Sequence, residues 1–266
     1  MFETYILPII IFLILGLVAG ILLTVASKVF FVKTDERIEQ ISDALPQANC
    51  GSCGYAGCSD YATAIIKNNA PANLCKPGGT ETNQKISEIL GIKADAVTQM
   101  RAVVHCNGNC NAVKNNFEYD GLLSCSAAKR LYGGSKACTY GCIGYGDCVN
   151  VCDNNAIEII NGIARITGEC IACEKCAKVC PNGLISLKPA TNQITVKCSS
   201  KDNGKNTKLV CSSGCIGCKI CEKKCSNEAV KVIDFHAVID YNKCTGCGDC
   251  VSACPVKAIY KCEDFI

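Results

Sequence analysis

The stretch CIACEKCAKVCP, residues 170–181, contains four cysteines and a proline with the spacing C-x2-C-x2-C-x3-C-P. The same spacing recurs in CTGCGDCVSACP, residues 244–255, with every position shifted by 74. A third copy begins at Cys215 without the proline, and a fourth begins at Cys142 with Tyr145 in place of its second cysteine. Four linked quartets cannot be an accident of composition, and they indicate a duplicated pair of similar units.

Short β-type runs lie between the quartets. AIEII is followed by Asn161-Gly162, which suits the tight turn of a β-hairpin, and then by IARI. AVKVI and AVID repeat this pattern in the second half. Each half thus predicts a quartet, a short helix, a hairpin, a second quartet and a final strand, an order that resembles a bacterial two-cluster ferredoxin. The predicted fold class is α+β, with tandem 2[4Fe–4S] ferredoxin-like units over residues 138–195 and 196–266.

Cysteine thiolates in a C-x2-C-x2-C-x3-C-P run bind [4Fe–4S] clusters, and the fourth cysteine ligates the cluster of the neighbouring run. This crossing predicts three ligand sets. The sets are Cys170, Cys173, Cys176 and Cys152; Cys215, Cys218, Cys221 and Cys254; and Cys244, Cys247, Cys250 and Cys225. Zinc is the alternative for C-x2-C motifs, but tetrahedral zinc favours two separated pairs over evenly spaced quartets.

The quartet that contains Tyr145 needs a substitute for its missing thiol. Cys138, four residues before Cys142, is the nearest spare cysteine. We therefore predict a fourth set, which consists of Cys138, Cys142, Cys148 and Cys180. A three-iron cluster that lacks this ligand is the alternative.

A different spacing, Cys50-x2-Cys53-x4-Cys58-x16-Cys75, occurs in residues 33–97, which we predict to form a small helical domain. Helices are predicted over residues 35–45 and 59–69. Glycines between the thiols let backbone N–H groups approach a cluster and donate hydrogen bonds to its sulfurs. The stretch CGSCGYAGCSDYA followed by CKPGG resembles the [4Fe–4S] domain of corrinoid iron–sulfur proteins, which implies that these four cysteines hold one cluster.

The connecting segment, residues 98–137, contains further cysteines. They are Cys106, Cys110 and Cys125. Together they predict a sixth cluster in addition to the five above, with Cys198 or Cys211 as its fourth ligand; free or structural thiols are the alternative. We expect His105 to lie beside the cluster or at the surface, and Cys262 to bind no metal.

Residues 4–27, TYILPIIIFLILGLVAGILLTVAS, carry no charge. A helix of this length rises about 36 Å, enough to cross a hydrocarbon core of about 30 Å. A cleaved signal peptide is the alternative, but no Lys or Arg precedes the run. Because Lys28, Lys33 and Arg37 follow it, we predict a transmembrane anchor over residues 1–32 with the rest of the chain in the cytoplasm. Thiols stay reduced there and are available to bind metals.

The composition agrees with a metalloprotein. Cysteine accounts for 26 of 266 residues, a fraction found in disulfide scaffolds and metalloproteins. The near-balanced charge of +3 argues against a nucleic-acid-binding protein that relies on a basic surface. The chain has only two histidines and no phosphate-binding loop or dinucleotide fingerprint. We therefore expect it to move electrons and to contain no site that transforms a substrate.

The order of these features resembles the B subunit of Rnf complexes along essentially the whole chain. The shared features are one membrane anchor, the CGSCGYAGC domain, the HCNGNC motif and two ferredoxin-like pairs. The resemblance implies a membrane-anchored component of a ferredoxin:NAD⁺ oxidoreductase that translocates Na⁺ or H⁺. It also implies that the partners are soluble ferredoxin and the other subunits of the complex, which hold the flavin and nicotinamide sites. A membrane-anchored ferredoxin subunit of another dehydrogenase or hydrogenase is the rival interpretation.

Basic charge is concentrated around the quartet that begins at Cys215. Residues 197–231 contain eight lysines against Asp202, Glu222 and Glu228, a balance of +5. Soluble ferredoxins are generally acidic, and opposite charges steer the encounter of two proteins. We predict that ferredoxin docks here; the alternative is that the lysines offset the negative charge of the clusters.

Overall fold

The computed structural model describes residues 7–29, 35–94 and 97–261. The first helix, α1 (Leu7–Val29), is apolar along its length. Within the described residues it contains the one candidate membrane span, Ile9–Lys28, with a mean hydropathy of 3.0 and no part buried against the protein. Twenty helical residues reach about 30 Å, which matches the hydrocarbon core of a bilayer. The helix thus suits a single crossing; residues 4–6 and Lys33 lie outside the described residues.

Three helices form the N-terminal domain: α2 (Glu36–Ala44), α3 (Cys58–Asn68) and α4 (Gly79–Leu90). The Asp35 side chain accepts a hydrogen bond from the second backbone N–H of α2 and so caps that helix. Ile41, Tyr61 and Ile86 are buried together where the three helices meet. Helices α2 and α3 agree with the prediction to within one residue at each end, whereas α4 was not predicted.

The rest of the fold consists of antiparallel strand pairs. The hairpins are β2 (Ile157–Ile160) with β3 (Ile163–Ile166), and β6 (Val230–Ile233) with β7 (His236–Ile239). The other pairs are β1 (Met100–Val104) with β4 (Ile185–Pro189), and β5 (Ile194–Val196) with β8 (Ile259–Lys261). Short helices carry or flank the quartets: α5 (Cys125–Lys129), α6 (Asp147–Asn150), α7 (Lys175–Val179), α8 (Gly204–Val210), α9 (Ile220–Lys224) and α10 (Asp249–Ser252).

Strand pairing connects each ferredoxin-like unit to a strand that precedes it. β1 lies in the connecting segment and pairs with β4, the final strand of the first unit. β5 lies across the predicted boundary at residues 195 and 196 and pairs with β8, the final strand of the second unit. Each final strand needs a hydrogen-bonding partner that its own hairpin does not provide. The strand that precedes each unit supplies that partner.

The hairpin turns close over the first quartet of each unit. Gly144 and Gly217 occupy equivalent positions, and a Cβ on either would collide with the backbone of the adjacent turn. Both glycines have positive φ, +95° and +65°. The first turn is the predicted Asn161-Gly162 pair, but the second places Asp234 and Phe235 at φ +45° and +63° without a glycine. Packing of the turn on the quartet loop therefore overrides local turn preference in the second unit.

Tyr61 connects the core of the N-terminal domain to the loop before Cys75. Its hydroxyl donates to the Pro71 carbonyl (2.6 Å) and accepts from the Leu74 N–H (3.1 Å). Because Tyr61 is 1% exposed, Tyr61→Phe leaves both groups without this partner, and we expect the free energy of unfolding to fall by about 1–3 kcal/mol. Denaturant unfolding followed by circular dichroism measures the change.

The matched control is Tyr132→Phe, since Tyr132 is 90% exposed and its hydroxyl has no role in this core. It should unfold like the wild type. Equal stability of the Tyr61 and Tyr132 variants would contradict the assigned role of the Tyr61 hydroxyl.

Candidate cluster-binding sites

The second ferredoxin-like unit gathers its cysteines in two groups. One cavity is lined by Cys215, Cys218, Cys221 and Cys254. Another is lined by Cys225, Cys244, Cys247 and Cys250. In each group, three thiols come from one quartet loop and the fourth comes from the other quartet. The cysteines in each group are the same as in the two crossed sets predicted from their spacing.

A third group in the first unit surrounds Cys176. Burial, with a smaller contribution from negative charge on its neighbours, raises the pKa of this thiol to about 11. Those neighbours are Cys170, Cys173 and Cys152. The Cys170 sulfur also accepts hydrogen bonds from the N–H groups of Ala102 (3.3 Å) and Ala172 (3.4 Å). This group also agrees with the predicted crossing.

The quartet that contains Tyr145 differs from the prediction. Its cavity is lined by Cys125, Cys142, Cys148 and Cys180, and Cys138 is not part of that lining. Burial, with smaller contributions from negative charge on Cys142 and Cys125, raises the pKa of Cys148 to about 12. Cys125 therefore takes the place that we expected Cys138 to fill, although it lies farther away in sequence.

Asp147 holds Cys125 in this position. Its carboxylate accepts hydrogen bonds from the N–H groups of Cys125 (2.9 Å) and Ser126 (3.0 Å), and from the hydroxyl of Ser124 (3.0 Å). Burial alone would raise the pKa of Asp147, but these hydrogen bonds outweigh it and lower the pKa. Asp147 was not predicted as a functional residue, because no local sequence pattern connects it to a cysteine 22 residues away.

Tyr145 occupies the position of the absent thiol. Its ring lies 5.4 Å from that of Tyr119, and both rings pack on a cluster of buried residues that includes Cys125 and Ile143. The tyrosine thus fills space beside the segment that delivers the substitute thiol.

The remaining cysteines also differ from the expected trio. A further cavity is lined by Cys106, Cys138, Cys198 and Cys211. Cys110 is exposed, is not part of this lining, and donates its backbone N–H to the Asn161 carbonyl (3.0 Å). Cys106, Cys110 and Cys125 therefore belong to three different environments. Cys262 lies outside the described residues.

The last cysteine of every quartet has the same hydrogen-bonding arrangement. Its sulfur accepts from the backbone N–H four residues later, at 3.2–3.4 Å. The donor–acceptor pairs are Ala156 to Cys152, Leu184 to Cys180, Ala229 to Cys225, and Ala258 to Cys254. Such N–H···S bonds orient a ligating thiolate and tune the potential of a cluster bound to it.

The thiols lie in groups of four around cavities, an arrangement that suits polynuclear clusters. The 25 described cysteines are all free thiols. Because burial raises the pKa of Cys148, Cys198 and Cys250 to about 12, these thiols need adjacent positive charge to ionise, and cluster iron would supply it.

Both ring nitrogens of His105 form hydrogen bonds to other residues of the chain. Its Nδ1 donates to the Val196 carbonyl (2.8 Å), and its Nε2 accepts from the Ser186 hydroxyl (2.7 Å). Burial lowers the pKa of His105, which favours this neutral ring. The ring therefore connects strands of the two units.

The N-terminal domain contacts the first unit near two cysteine groups. Lys76 forms an ion pair with Glu174 (2.8 Å), and Lys178 donates to the Cys50 carbonyl (3.3 Å). Burial raises the pKa of Cys173, and charge on Cys50 raises it further, so these two thiols lie within electrostatic range. Burial, with smaller contributions from negative charge on Cys58, Cys53 and Cys50, raises the pKa of Cys75 to about 11. These four thiols therefore lie close enough together to form one group.

The basic segment is exposed on the second unit, with one exception. Lys197 is buried and lines the cavity of Cys106, whereas the other lysines of residues 197–231 are exposed. Cys218 is also exposed, next to Lys219 and Ile220. The second unit therefore presents a thiol of one cysteine group within a basic surface.

Comparison with known protein families gives matches in three segments that contain cysteine quartets. Residues 45–77 match the family described as "Putative Fe-S cluster", and residues 163–186 and 237–260 match the family described as "4Fe-4S binding domain".

Three curated relatives match over most of the chain. One is the B subunit of the ion-translocating oxidoreductase complex of Methanosarcina acetivorans, 42% identical over 92% of this chain and 94% of the relative. Another is the B subunit of the proton-translocating ferredoxin:NAD⁺ oxidoreductase complex of Clostridium ljungdahlii, 37% identical over 97% of this chain and 92% of the relative. The B subunit of the Na⁺-translocating ferredoxin:NAD⁺ oxidoreductase complex of Acetobacterium woodii is 39% identical over 97% of this chain and 78% of the relative.

Asp147→Ala should release the segment that delivers Cys125, because the N–H groups of Cys125 and Ser126 lose their shared acceptor. A loss of about 1–3 kcal/mol corresponds to about 5- to 150-fold faster alkylation of the Cys125 thiol in iron-free protein. Peptide mass spectrometry after timed alkylation measures this rate. Asp153→Ala is the control, since Asp153 forms only an exposed ion pair with Lys175. Equal Cys125 alkylation in both variants would rule out the role assigned to Asp147.

Proposed function

The chain belongs to the family of Rnf complex B subunits, and from this premise we propose how it relays electrons. Two of its relatives are named as subunits of ion-translocating ferredoxin:NAD⁺ oxidoreductase complexes, and a third is named as a subunit of an ion-translocating oxidoreductase complex. This chain is an electron-transfer subunit that carries [4Fe–4S] clusters and works together with the other subunits of an Rnf-type complex. The observation that carries this function is the gathering of thiols in groups of four around cavities. Clusters bound there change oxidation state by one electron and require no substrate pocket.

Five ligand sets follow from the thiol groups. The N-terminal domain has one set: Cys50, Cys53, Cys58 and Cys75. The first unit has two sets: Cys152, Cys170, Cys173 and Cys176 form one, and Cys125, Cys142, Cys148 and Cys180 form the other. The second unit also has two sets: Cys215, Cys218, Cys221 and Cys254 form one, and Cys225, Cys244, Cys247 and Cys250 form the other. Cys125 replaces Cys138 in this assignment. The N–H···S bonds to the fourth thiol of each quartet support the ligand roles of those thiols.

Helix α1 anchors the chain, and we place its soluble part in the cytoplasm. Lys28 ends the candidate span, and Lys33 and Arg37 follow it in the sequence. Positive residues that flank a span favour the cytoplasmic side. This placement gives the clusters access to soluble cytoplasmic electron carriers and keeps the thiols reduced before cluster assembly.

The second unit receives electrons from soluble ferredoxin. Cys218 is exposed within the basic surface, so a cluster held by it would lie close to a docked partner. Apolar side chains are exposed in the same unit, with Ile220 at 40% and Phe235 at 54% exposure. A small apolar contact surrounded by lysines suits a brief encounter with an acidic redox protein. The N-terminal domain contacts the first unit through Glu174, so it lies at the other end of the electron path.

Charge reversal tests this docking surface. Lys219→Glu, Lys223→Glu and Lys224→Glu in one variant should slow reduction by ferredoxin at least tenfold at low salt, because attraction becomes repulsion. Stopped-flow absorbance of cluster reduction measures the rate. The difference should shrink as salt rises, since ions screen charges beyond a Debye length.

The matched control reverses the same number of exposed lysines on the N-terminal domain. These are Lys67, Lys85 and Lys93. This control has the same net charge and should be reduced nearly as fast as the wild type. Wild-type rates in the first variant at low salt, with its clusters intact, would place docking elsewhere.

A further inference from the structure

We propose that Cys106, Cys138, Cys198 and Cys211 hold a [4Fe–4S] cluster that links the two ferredoxin-like units, an inference that rests on the proposed electron-transfer function. These four thiols line one cavity, here named the bridging cavity. None of the four lies within residues 45–77, 163–186 or 237–260, which the family matches cover. Cys106 belongs to the HCNGNC motif, whereas Cys138, Cys198 and Cys211 come from other segments, and the fold brings the four together.

Two glycines line the space between these thiols. A Cβ at Gly108 would lie 3.6 Å from the Cys106 sulfur and 3.7 Å from the Cys211 sulfur. A Cβ at Gly141 would lie 3.5 Å from the Cys138 sulfur and 3.7 Å from the Cys106 sulfur. Both positions are thus at van der Waals distance from two of the four sulfurs, which places the thiols around one common space.

Buried positive charge indicates that the occupant of this space is an anion. The Lys136 ammonium is buried and donates to the carbonyls of Cys142 (2.7 Å) and Gly162 (2.6 Å). Lys136 lines the bridging cavity. Nearby negative charge stabilises a buried cation, and a cubane with four thiolate ligands carries net negative charge. The Lys136 ammonium and the thiolate-bound cluster would therefore stabilise each other.

Hydrogen bonds connect the bridging cavity to both units. The Cys106 sulfur accepts from the N–H of Cys142 (3.3 Å), the first cysteine of the first unit's quartets. Cys215 is the equivalent of Cys142 in the second unit, and its backbone N–H donates a hydrogen bond to the Cys198 sulfur. The cavity therefore lies between two other thiol groups. One electron from a reduced cluster of the second unit, supplied by ferredoxin, would pass here and then reduce an oxidised cluster of the first unit, with no proton or bond exchanged.

The test compares Cys198→Ala with Cys110→Ala in the full chain within its complex. Cys198→Ala should lose about four irons per chain, or about one if a three-iron form survives, whereas Cys110→Ala should keep the wild-type amount. Reduced ferredoxin should still reduce the second unit of Cys198→Ala, but electron paramagnetic resonance signals from the first unit should appear at least tenfold more slowly. Cys211→Ala, which removes a thiol at the end of α8, should give the same losses independently.

Wild-type iron content in both Cys198→Ala and Cys211→Ala would overturn the bridging site. In that case the electron-transfer function would still stand if ferredoxin reduces the wild-type chain. A wild-type chain that contains all its iron and is not reduced by ferredoxin would overturn the proposed function instead.

Discussion

The burial of thiol groups is the constraint on which the rest of this structure depends. Nine described cysteines are among the buried core residues, where larger apolar side chains would stand in most domains. Burial raises the pKa of thiols such as Cys148 and Cys250 to about 12, so they ionise only beside compensating positive charge. The surrounding elements are two-stranded sheets and short helices, which are marginally stable alone. Iron–thiolate bonds would supply both the missing charge and the missing cross-links, so folding and cluster assembly should be coupled.

The two ferredoxin-like units show how one architecture diverges under this constraint. Their hairpins both close over a glycine of the first quartet, and all four quartets share the N–H···S bond to the last cysteine. The first unit has Tyr145 where its counterpart has Cys218, and it recovers a thiol from α5 through the Asp147 carboxylate. The second unit keeps Cys218 and leaves it exposed. The unit with the intact quartet is thus the one that presents a thiol to solvent.

Much of this arrangement could be predicted from the sequence, because cysteine spacing acts over a few residues. The crossing of the quartets, the Asn161-Gly162 turn and helices α2 and α3 all follow from local patterns. The cysteine that joins the quartet of Tyr145 could not be predicted in this way. Nearness in sequence favours Cys138, whereas tertiary packing places Cys125 in that cavity. The partners of β4 and β8 were missed for the same reason. The bridging cavity contains Cys106 with both of its predicted partners, Cys198 and Cys211, but it also contains Cys138, which only the fold places there.

Clusters bound by these thiols would form one connected series from the exposed Cys218 to the N-terminal domain, with the bridging cavity between the units. The most direct measurement is the iron, acid-labile sulfide and zinc content of anaerobically purified full-length chain. Six cubanes require about 24 irons and an equal amount of sulfide per chain, with zinc at trace level. Zinc in stoichiometric amount with iron near zero would contradict the assignment of the buried thiols as cluster ligands.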